Sequence, residues 1–312
     1  MFPLIIHIFL LIIGFVLLIK GADFFVDSAS QIALHFHVSE LIIGLTIVAF
    51  GTSLPEAAVS ITSAYTGTTG IAIGNIIGSN IANVLLILGI SGIIGQLTVQ
   101  KKTFYFEIPY VIVATILLLT LGYFGQSLSF MDGVILWLFF IVFLVYLYHS
   151  AKQQKEEQSE SKQQTSIIKL LFYVVFSLVC IIVGSEVTVD AARYIAAQLG
   201  MSERLIGLTI VAVGTSLPEL MTSLVASYKG KNDIAVGNII GSNIFNILFV
   251  LGTASLVAPH GIAFDVQFIL DGIIAIGVVV LFMIFIDKDM ILRKYGALVM
   301  LIGYIIYIIS LI

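Results

Sequence analysis

The chain has 312 residues, 60% hydrophobic and only 10% charged, with a mean hydropathy of +1.15. Soluble domains carry about 25% charged residues, so a water-soluble enzyme is excluded. With 14 Lys and Arg against 18 Asp and Glu, the net charge is −4 and there is no basic face for nucleic acid. A single cysteine, Cys180, excludes a disulfide framework and a thiolate metal cluster. What remains is a polytopic helical protein of the lipid bilayer.

In chain order, apolar stretches of the roughly 20 residues that a span needs fall near 2–20, 41–64, 70–94, 108–124, 132–149, 167–185, 205–227, 234–256, 266–286 and 295–311. This predicts ten transmembrane helices in an all-α fold. The first stretch has no basic start and no small-residue cleavage site, and reads as a retained helix. Residues 57–100 carry no formal charge, and the polar break Thr66-Gly67-Thr68-Thr69-Gly70 divides that run into two spans. The hydrophilic segment 150–166 reads as a flexible linker between two halves, 1–149 and 167–312. Ten spans place Lys20, Lys101, Lys102, Lys152, Lys155, Lys162, Lys169, Lys229, Lys231, Lys288, Arg293 and Lys294 on one side, and only Arg193 and Arg204 on the other. Because basic loops stay cytoplasmic, the linker is expected inside and both termini outside a cell membrane.

Residues 40–89 and 203–252 align without a gap at a constant offset of 163, with 31 of 50 positions identical. The first copy contains LTIVAFGTSLPE and AIGNIIGSNIAN, the second LTIVAVGTSLPE and AVGNIIGSNIFN. Upstream, Asp27 pairs with Asp190 and Asp23 with Glu186. Five helices per half is an odd number, so the second copy enters the membrane from the opposite side. Such inverted-topology repeats are a construction of secondary transporters, which bind substrate near the midplane.

Glu56 and Glu219 fall about 15 residues into helices 2 and 7, near the bilayer centre, where a bare carboxylate costs about 3 kcal/mol. Neither segment holds a basic partner, so a cation or a proton is the simplest neutralisation. Thr52 and Glu56 are four apart and share a helix face, as do Ser79 and Asn83, and likewise Thr215 with Glu219 and Ser242 with Asn246. Pro55 and Pro218 remove an N–H and clash with the carbonyl four residues back. Loosened helices there are expected to free carbonyls at Ala49, Gly51 and Thr52, and at Ala212, Gly214 and Thr215. An all-oxygen set with two negative charges suits hard cations such as Ca²⁺ or Na⁺, while the lack of Cys and clustered His argues against zinc, copper and iron. The five histidines read as interfacial or packing residues. The spacings Gly74/Gly78 and Gly237/Gly241 read as close helix packing. Asn75 and Asn238 read as interhelical hydrogen bonders in preference to ligands. Asp23, Asp27, Glu186 and Asp190 are either cation-attracting mouths or solvated helix ends.

At GTSLPE and GNIIGSN, present twice and inverted, the chain resembles the sodium/calcium exchanger branch of the cation/calcium antiporter superfamily, of the prokaryotic type without a large regulatory loop. The resemblance implies ten helices, with long tilted helices 1 and 6 sliding across a fixed core, and exchange of three Na⁺ for one Ca²⁺. It places ion ligands on Ala49, Thr52, Ser53, Glu56, Ser79 and Asn83, and on Ala212, Thr215, Ser216, Glu219, Ser242 and Asn246. Glu56 and Glu219 with the Thr52 and Thr215 carbonyls would hold Ca²⁺; the serines and alanine carbonyls would complete the Na⁺ sites. Potassium-dependent members carry Asp where this chain has Asn246, which weighs against K⁺ cotransport. No cofactor and no obligate protein partner are expected beyond the two ions and the lipid. A proton-coupled calcium exchanger and, in a different class, a cation channel are the alternative readings. An intramembrane protease is disfavoured because Ser53 and Ser216 lack a basic partner at depth.

Overall fold

The computed structural model describes residues 2–157, 166–201, 210 and 212–311. Its helices are α1 (Phe2–Phe36), α2 (Glu40–Thr52), α3 (Leu54–Tyr65), α4 (Thr69–Ile94), α5 (Thr103–Gly125), α6 (Phe130–Glu157), α7 (Ile167–Gln198), α8 (Ala212–Gly214), α9 (Leu217–Tyr228), α10 (Asn232–Val257), α11 (Val266–Phe285) and α12 (Lys294–Leu311). Among the described residues eight helices are long and apolar enough to cross a bilayer, and α2 with α3, bent by 50° between them, makes a ninth. The remaining expected span, 205–227, begins outside the described residues, as do Glu203 and Arg204, and continues as α8 and α9.

Most boundaries lie within a few residues of those expected; α1, α6 and α7 run past theirs. Helices 1 and 6 do not stop near residues 20 and 185. They run on to Phe36 and Gln198, carrying Lys20, Asp23 and Asp27, and Glu186, Asp190 and Arg193, inside the helix. Hydropathy ends a span at the first charges, but these helices pack against each other along their length and the charged side chains find water or partners at the flanks. α1 ends by a left-handed turn at His37 (φ 54°), whose following N–H, of Val38, returns to Ala33 O. α6 likewise continues to Glu157, past the expected boundary at 149; linker residues 158–165, including Lys162, lie outside the described residues.

α4 and α10 are buried along most of their length and form the centre. α10 crosses α2, where a Cβ on Gly237 would approach the Gly44 Cα to 3.1 Å and one on Gly241 would approach the Leu45 backbone to 2.9 Å. The paired glycines of the second half therefore serve close packing, across the repeat boundary. α3 packs on α4 and α9 on α10, and α5, α6, α11 and α12 surround them. The outer helices are apolar on all sides because lipid and core are both apolar: α5 turns Val113 and Ile116 outward and Val111, Ala114 and Leu118 inward. α1 and α7 cross on one flank, with Gly14 against Gly184 and Gly21 against Ser177. These two contacts are mirror equivalents at the offset of 163.

Two short strand pairs break the all-helical pattern. β1 (Leu97–Thr98) pairs antiparallel with β4 (Ile291–Leu292), and β2 (Ser127–Leu128) with β3 (Ile262–Ala263). Each joins a loop of one half to a loop of the other. β1 and β4 lie at the lysine-rich end, beside Lys101, Lys102, Lys288 and Arg293; β2 and β3 lie at the opposite end. The fold is thus a helical membrane architecture built as an inverted repeat, with nine of the ten expected spans complete among the described residues.

Gly241→Val should lower the melting temperature in detergent, because its Cβ meets fixed backbone, a cost of about 1–3 kcal/mol. Gly277→Ala, where a Cβ meets open space among the described residues, should hold or raise it. Equal melting temperatures for the two variants would contradict the packing described here.

Candidate functional site

The centre is built where two helices break. Pro55 cannot donate to the turn before it, and the chain leaves helical geometry at Ser53 (φ −81°, ψ 6°) before α3 begins. Ser216 repeats this (φ −89°, ψ 6°) before α9. Glu56 and Glu219 lie in the first turn of α3 and α9, where the positive helix end favours a carboxylate. Of the expected free carbonyls, Ala49 O accepts the Ser53 N–H at 3.1 Å, with the Thr52 and Ser242 hydroxyls at 3.4 and 3.5 Å. Gly214 O is released from its helix and accepts from Ser185 Oγ of α7 at 2.9 Å. Ala212 opens α8.

The two halves exchange hydrogen bonds across the centre. Ser53 Oγ donates to Glu219 Oε1 at 3.1 Å, and Ser216 Oγ donates to Glu56 Oε1 at 3.2 Å. Ser216 Oγ also lies 3.3 Å from Ser79 Oγ. Both carboxylates are about 1% exposed. The expected pair is therefore brought together inside the protein, each carboxylate bonded to a serine of the opposite half and turned away from lipid. Asn75 Nδ2 donates to Ser60 Oγ (3.0 Å) and Glu56 O (3.5 Å); Asn238 Nδ2 donates to Ser223 Oγ (2.9 Å) and Glu219 O (3.3 Å). These asparagines brace the backbone beneath each carboxylate, as interhelical hydrogen bonders. Asn238 Oδ1 also accepts from Thr52 Oγ1 at 3.0 Å.

Sequence reasoning passed over Asn80 and Asn243. They cross at the pseudo-twofold axis: Asn80 Nδ2 donates to Asn243 O (3.2 Å) and Asn243 Nδ2 to Asn80 O (3.3 Å). Their side-chain oxygens accept from Asn83 Nδ2 (2.9 Å) and Asn246 Nδ2 (3.0 Å) respectively crosswise, Asn83 to Asn243 and Asn246 to Asn80. With each Nδ2 committed, the oxygens of Asn83 and Asn246 are left as acceptors. The signal was present in the doubled GSN-I-x-N, which holds both asparagines of each pair. Asn83 and Asn246 also open π-helical turns, Asn83–Leu88 and Asn246–Leu251, which periodicity does not reveal and which recur at functional sites.

Four buried oxygens at this centre have no hydrogen-bond partner among the described residues: Glu56 Oε2, Glu219 Oε2, Asn83 Oδ1 and Asn246 Oδ1. Thr215 Oγ1 is a fifth. An orphaned buried acceptor is costly, and here every one is an oxygen. Among the described residues no three His, Cys, Asp or Glu side chains converge, so the formal charge at the centre rests on the two glutamates.

A cavity of about 460 Å³ reaches Gly214 and Thr215 from the end opposite the lysines, between α3 and α7. Pro55, Ala58, Val59, Glu186 and Asp190 line it. The mirror-related surfaces at the lysine-rich end are closed: α1 packs on α9, and Pro218 and Thr222, equivalents of Pro55 and Val59, are buried.

An inverted repeat around a buried, oxygen-lined centre, approached by a cavity from one side, defines an ion-binding membrane transporter. The chain belongs to the sodium/calcium exchanger protein family, whose sequence model matches residues 6–149 and 169–312. It is 30% identical to the sodium/calcium exchanger MaX1 of Methanosarcina acetivorans, covering 98% of both chains. It is 37% identical to the inner membrane protein YrbG of Escherichia coli, over 80% of this chain and 79% of that protein. A solved structure of the sodium-calcium exchanger NCX_Mj, soaked with zero Na⁺ and Ca²⁺, superposes with a TM-score of 0.84 at 35% identity, covering 99% of this chain and 100% of that one.

Two desolvated carboxyl groups without a cationic partner among the described residues should destabilise the ion-free protein. Glu56→Gln and Glu219→Gln are each expected to raise the melting temperature in ion-free detergent by several degrees. They should also flatten its rise with added Ca²⁺ or Na⁺. A fall in both variants would contradict the electrostatic account.

Proposed function

We propose that the protein is a secondary antiporter that exchanges Na⁺ for Ca²⁺ across the cell membrane by alternating access. The observation that carries this reading is the set of orphaned oxygens shared between Glu56, Glu219, Asn83 and Asn246. Ca²⁺ takes six to eight oxygen ligands. The carboxylates of Glu56 and Glu219, with the carbonyls of Thr52 and Thr215, supply its core. Ser53, Ser216, Ser79, Ser242 and the carbonyls of Ala49 and Ala212 complete sites for Na⁺, with Asn83 and Asn246 contributing amide oxygens.

Charge makes the two cargoes mutually exclusive. An empty centre carries two negative charges through a low-dielectric region, at a cost of several kcal/mol. One Ca²⁺ cancels them, and so do sodium ions, so passage is cheap only when loaded. With Asn at both 83 and 246, a Ca²⁺-loaded centre is neutral and one holding three Na⁺ carries a single positive charge. The sodium limb of a three-for-one cycle is therefore the electrogenic one. In this reading α1 and α7 move as a pair against the fixed core, residues 1–149 and 167–312 are the two repeats, and the lysine-rich end is cytoplasmic, with both termini outside. No catalytic residue or cofactor enters the cycle.

Sodium-loaded proteoliposomes are expected to take up Ca²⁺ when the outside is sodium-free, and Glu56→Gln or Glu219→Gln should reduce that uptake by at least 100-fold. Uptake driven by a pH gradient without sodium would overturn the coupling. An inside-positive potential should favour uptake, because three Na⁺ leave for each Ca²⁺ that enters. One charge per cycle is worth about 2.3 kcal/mol per 100 mV, or roughly 50-fold in the Ca²⁺ gradient at equilibrium. Uptake indifferent to voltage would rule out the three-for-one ratio.

A further inference from the structure

The two ends of the molecule carry equivalent acids but not equivalent bases. The repeat maps Asp23 and Asp27 of α1 onto Glu186 and Asp190 of α7, whereas Lys229 and Lys231 map onto Thr66 and Thr68. At the lysine-rich end the Lys229 ammonium lies 2.6 Å from Asp23 Oδ1 and 2.7 Å from Asp27 Oδ1, and donates to Asp23 O at 3.2 Å. All three of its N–H groups are used. Lys231 Nζ lies 2.7 Å from Glu40 Oε1 and donates to Ser30 Oγ at 3.0 Å; Ser30 itself donates to Glu40. The short turn between α9 and α10, made possible by Gly230 at φ +71°, thus holds α1 at three side chains and α2 at one.

At the opposite end Glu186 and Asp190 border the cavity and make no salt bridge among the described residues. Thr66 bonds instead to Thr62 O and Ser63 O of its own helix. Partial burial works against the charge of Lys229, but its hydrogen bonds to Asp23 and Asp27 hold its pKa above the ordinary lysine value. It therefore stays cationic at neutral pH.

We propose that Lys229, seconded by Lys231, is a one-sided ionic latch. It fills the acidic pair of α1 with a tethered cation, shuts the lysine-rich end, and biases the protein toward the state open beside Glu186 and Asp190. When α1 moves, the lysine leaves and Asp23 and Asp27 become free to gather cations at the newly opened mouth. The acids that receive ions in one state are thus neutralised by the chain itself in the other. This inference rests on the alternating-access reading above, and its consequence is an asymmetry between the two faces that the repeat alone does not supply.

The test reads conformation independently of transport. In a Cys180→Ser background, single reporters Val59→Cys in the open cavity and Thr222→Cys at its closed equivalent are labelled with a soluble maleimide in detergent, and the ratio of labelling rates is measured. Lys229→Thr should shift that ratio about five- to tenfold toward Thr222→Cys, as expected for losing two ion pairs of partly exposed groups. The double variant Asp23→Asn with Asp27→Asn should shift it the same way. Lys229→Arg, which keeps the charge, should leave it near the parent value and shows that position 229 tolerates exchange of the side chain. Thr66→Lys, placing an ammonium beside Glu186 and Asp190, should slow labelling of Val59→Cys. An unchanged ratio in both Lys229→Thr and the double aspartate variant would overturn the latch. Sodium-driven Ca²⁺ uptake is measured on the parent protein separately: its absence would refute the exchanger assignment, and the labelling ratio would still decide the latch.

Discussion

Two carboxyl groups held out of water, with no cationic side chain beside them among the described residues, set the terms for this structure. Glu56 and Glu219 are each about 1% exposed, and the polar groups that meet them, Ser53 and Ser216, are neutral. Hydrogen bonds from hydroxyls soften such a charge without cancelling it. Much of the central architecture supports this condition. The broken helices put each carboxylate at a positive helix end, Asn75 and Asn238 fix the backbone under it, and the Asn80–Asn243 crossing turns two further oxygens to acceptors. α4 and α10, buried along most of their length, keep lipid and bulk water from the same place.

Symmetry and its violation divide the labour. The centre is nearly symmetric: the serine-to-carboxylate bonds, the asparagine braces and the amide crossing all occur twice, related by the offset of 163. The ends are not. α1 closes on α9 with two lysines, while α7 stands away from α3 across a cavity and reaches the broken helix through Ser185, whose counterpart on α1 is Ala22. A site that must treat both sides alike and a path that must be open on one side at a time need this combination.

The doubled motif made the centre legible before any coordinates. GTSLPE announces a carboxylate in a helix broken by proline, and its repetition in inverted order requires the two copies to face each other. What periodicity could not supply was anything decided by distant partners. Asp23 and Asp27 read as the end of a helix because charges end a hydrophobic run, yet Lys229, some two hundred residues away, lets that helix continue. Asn80 and Asn83 are three apart and equally polar; only the crossing with the other half assigns one to the scaffold and leaves the other's oxygen free at the centre. The π-helical turns at Asn83 and Asn246 leave no mark on hydropathy, and the strand pairs at 97–98 and 127–128 are too short to show alternation.

Those strand pairs have a consequence for how the protein is made. Leu97 must wait for Leu292, and Leu128 for Ile262, so neither staple can close until synthesis has passed far into the second half. During that interval Glu56 is already in the membrane while Ser216, its hydroxyl donor, has yet to emerge from the ribosome. The nascent first half is thus obliged to carry an acidic group into the insertion machinery unsupported. The contacts that join the two halves of the chain can therefore close only late in its synthesis.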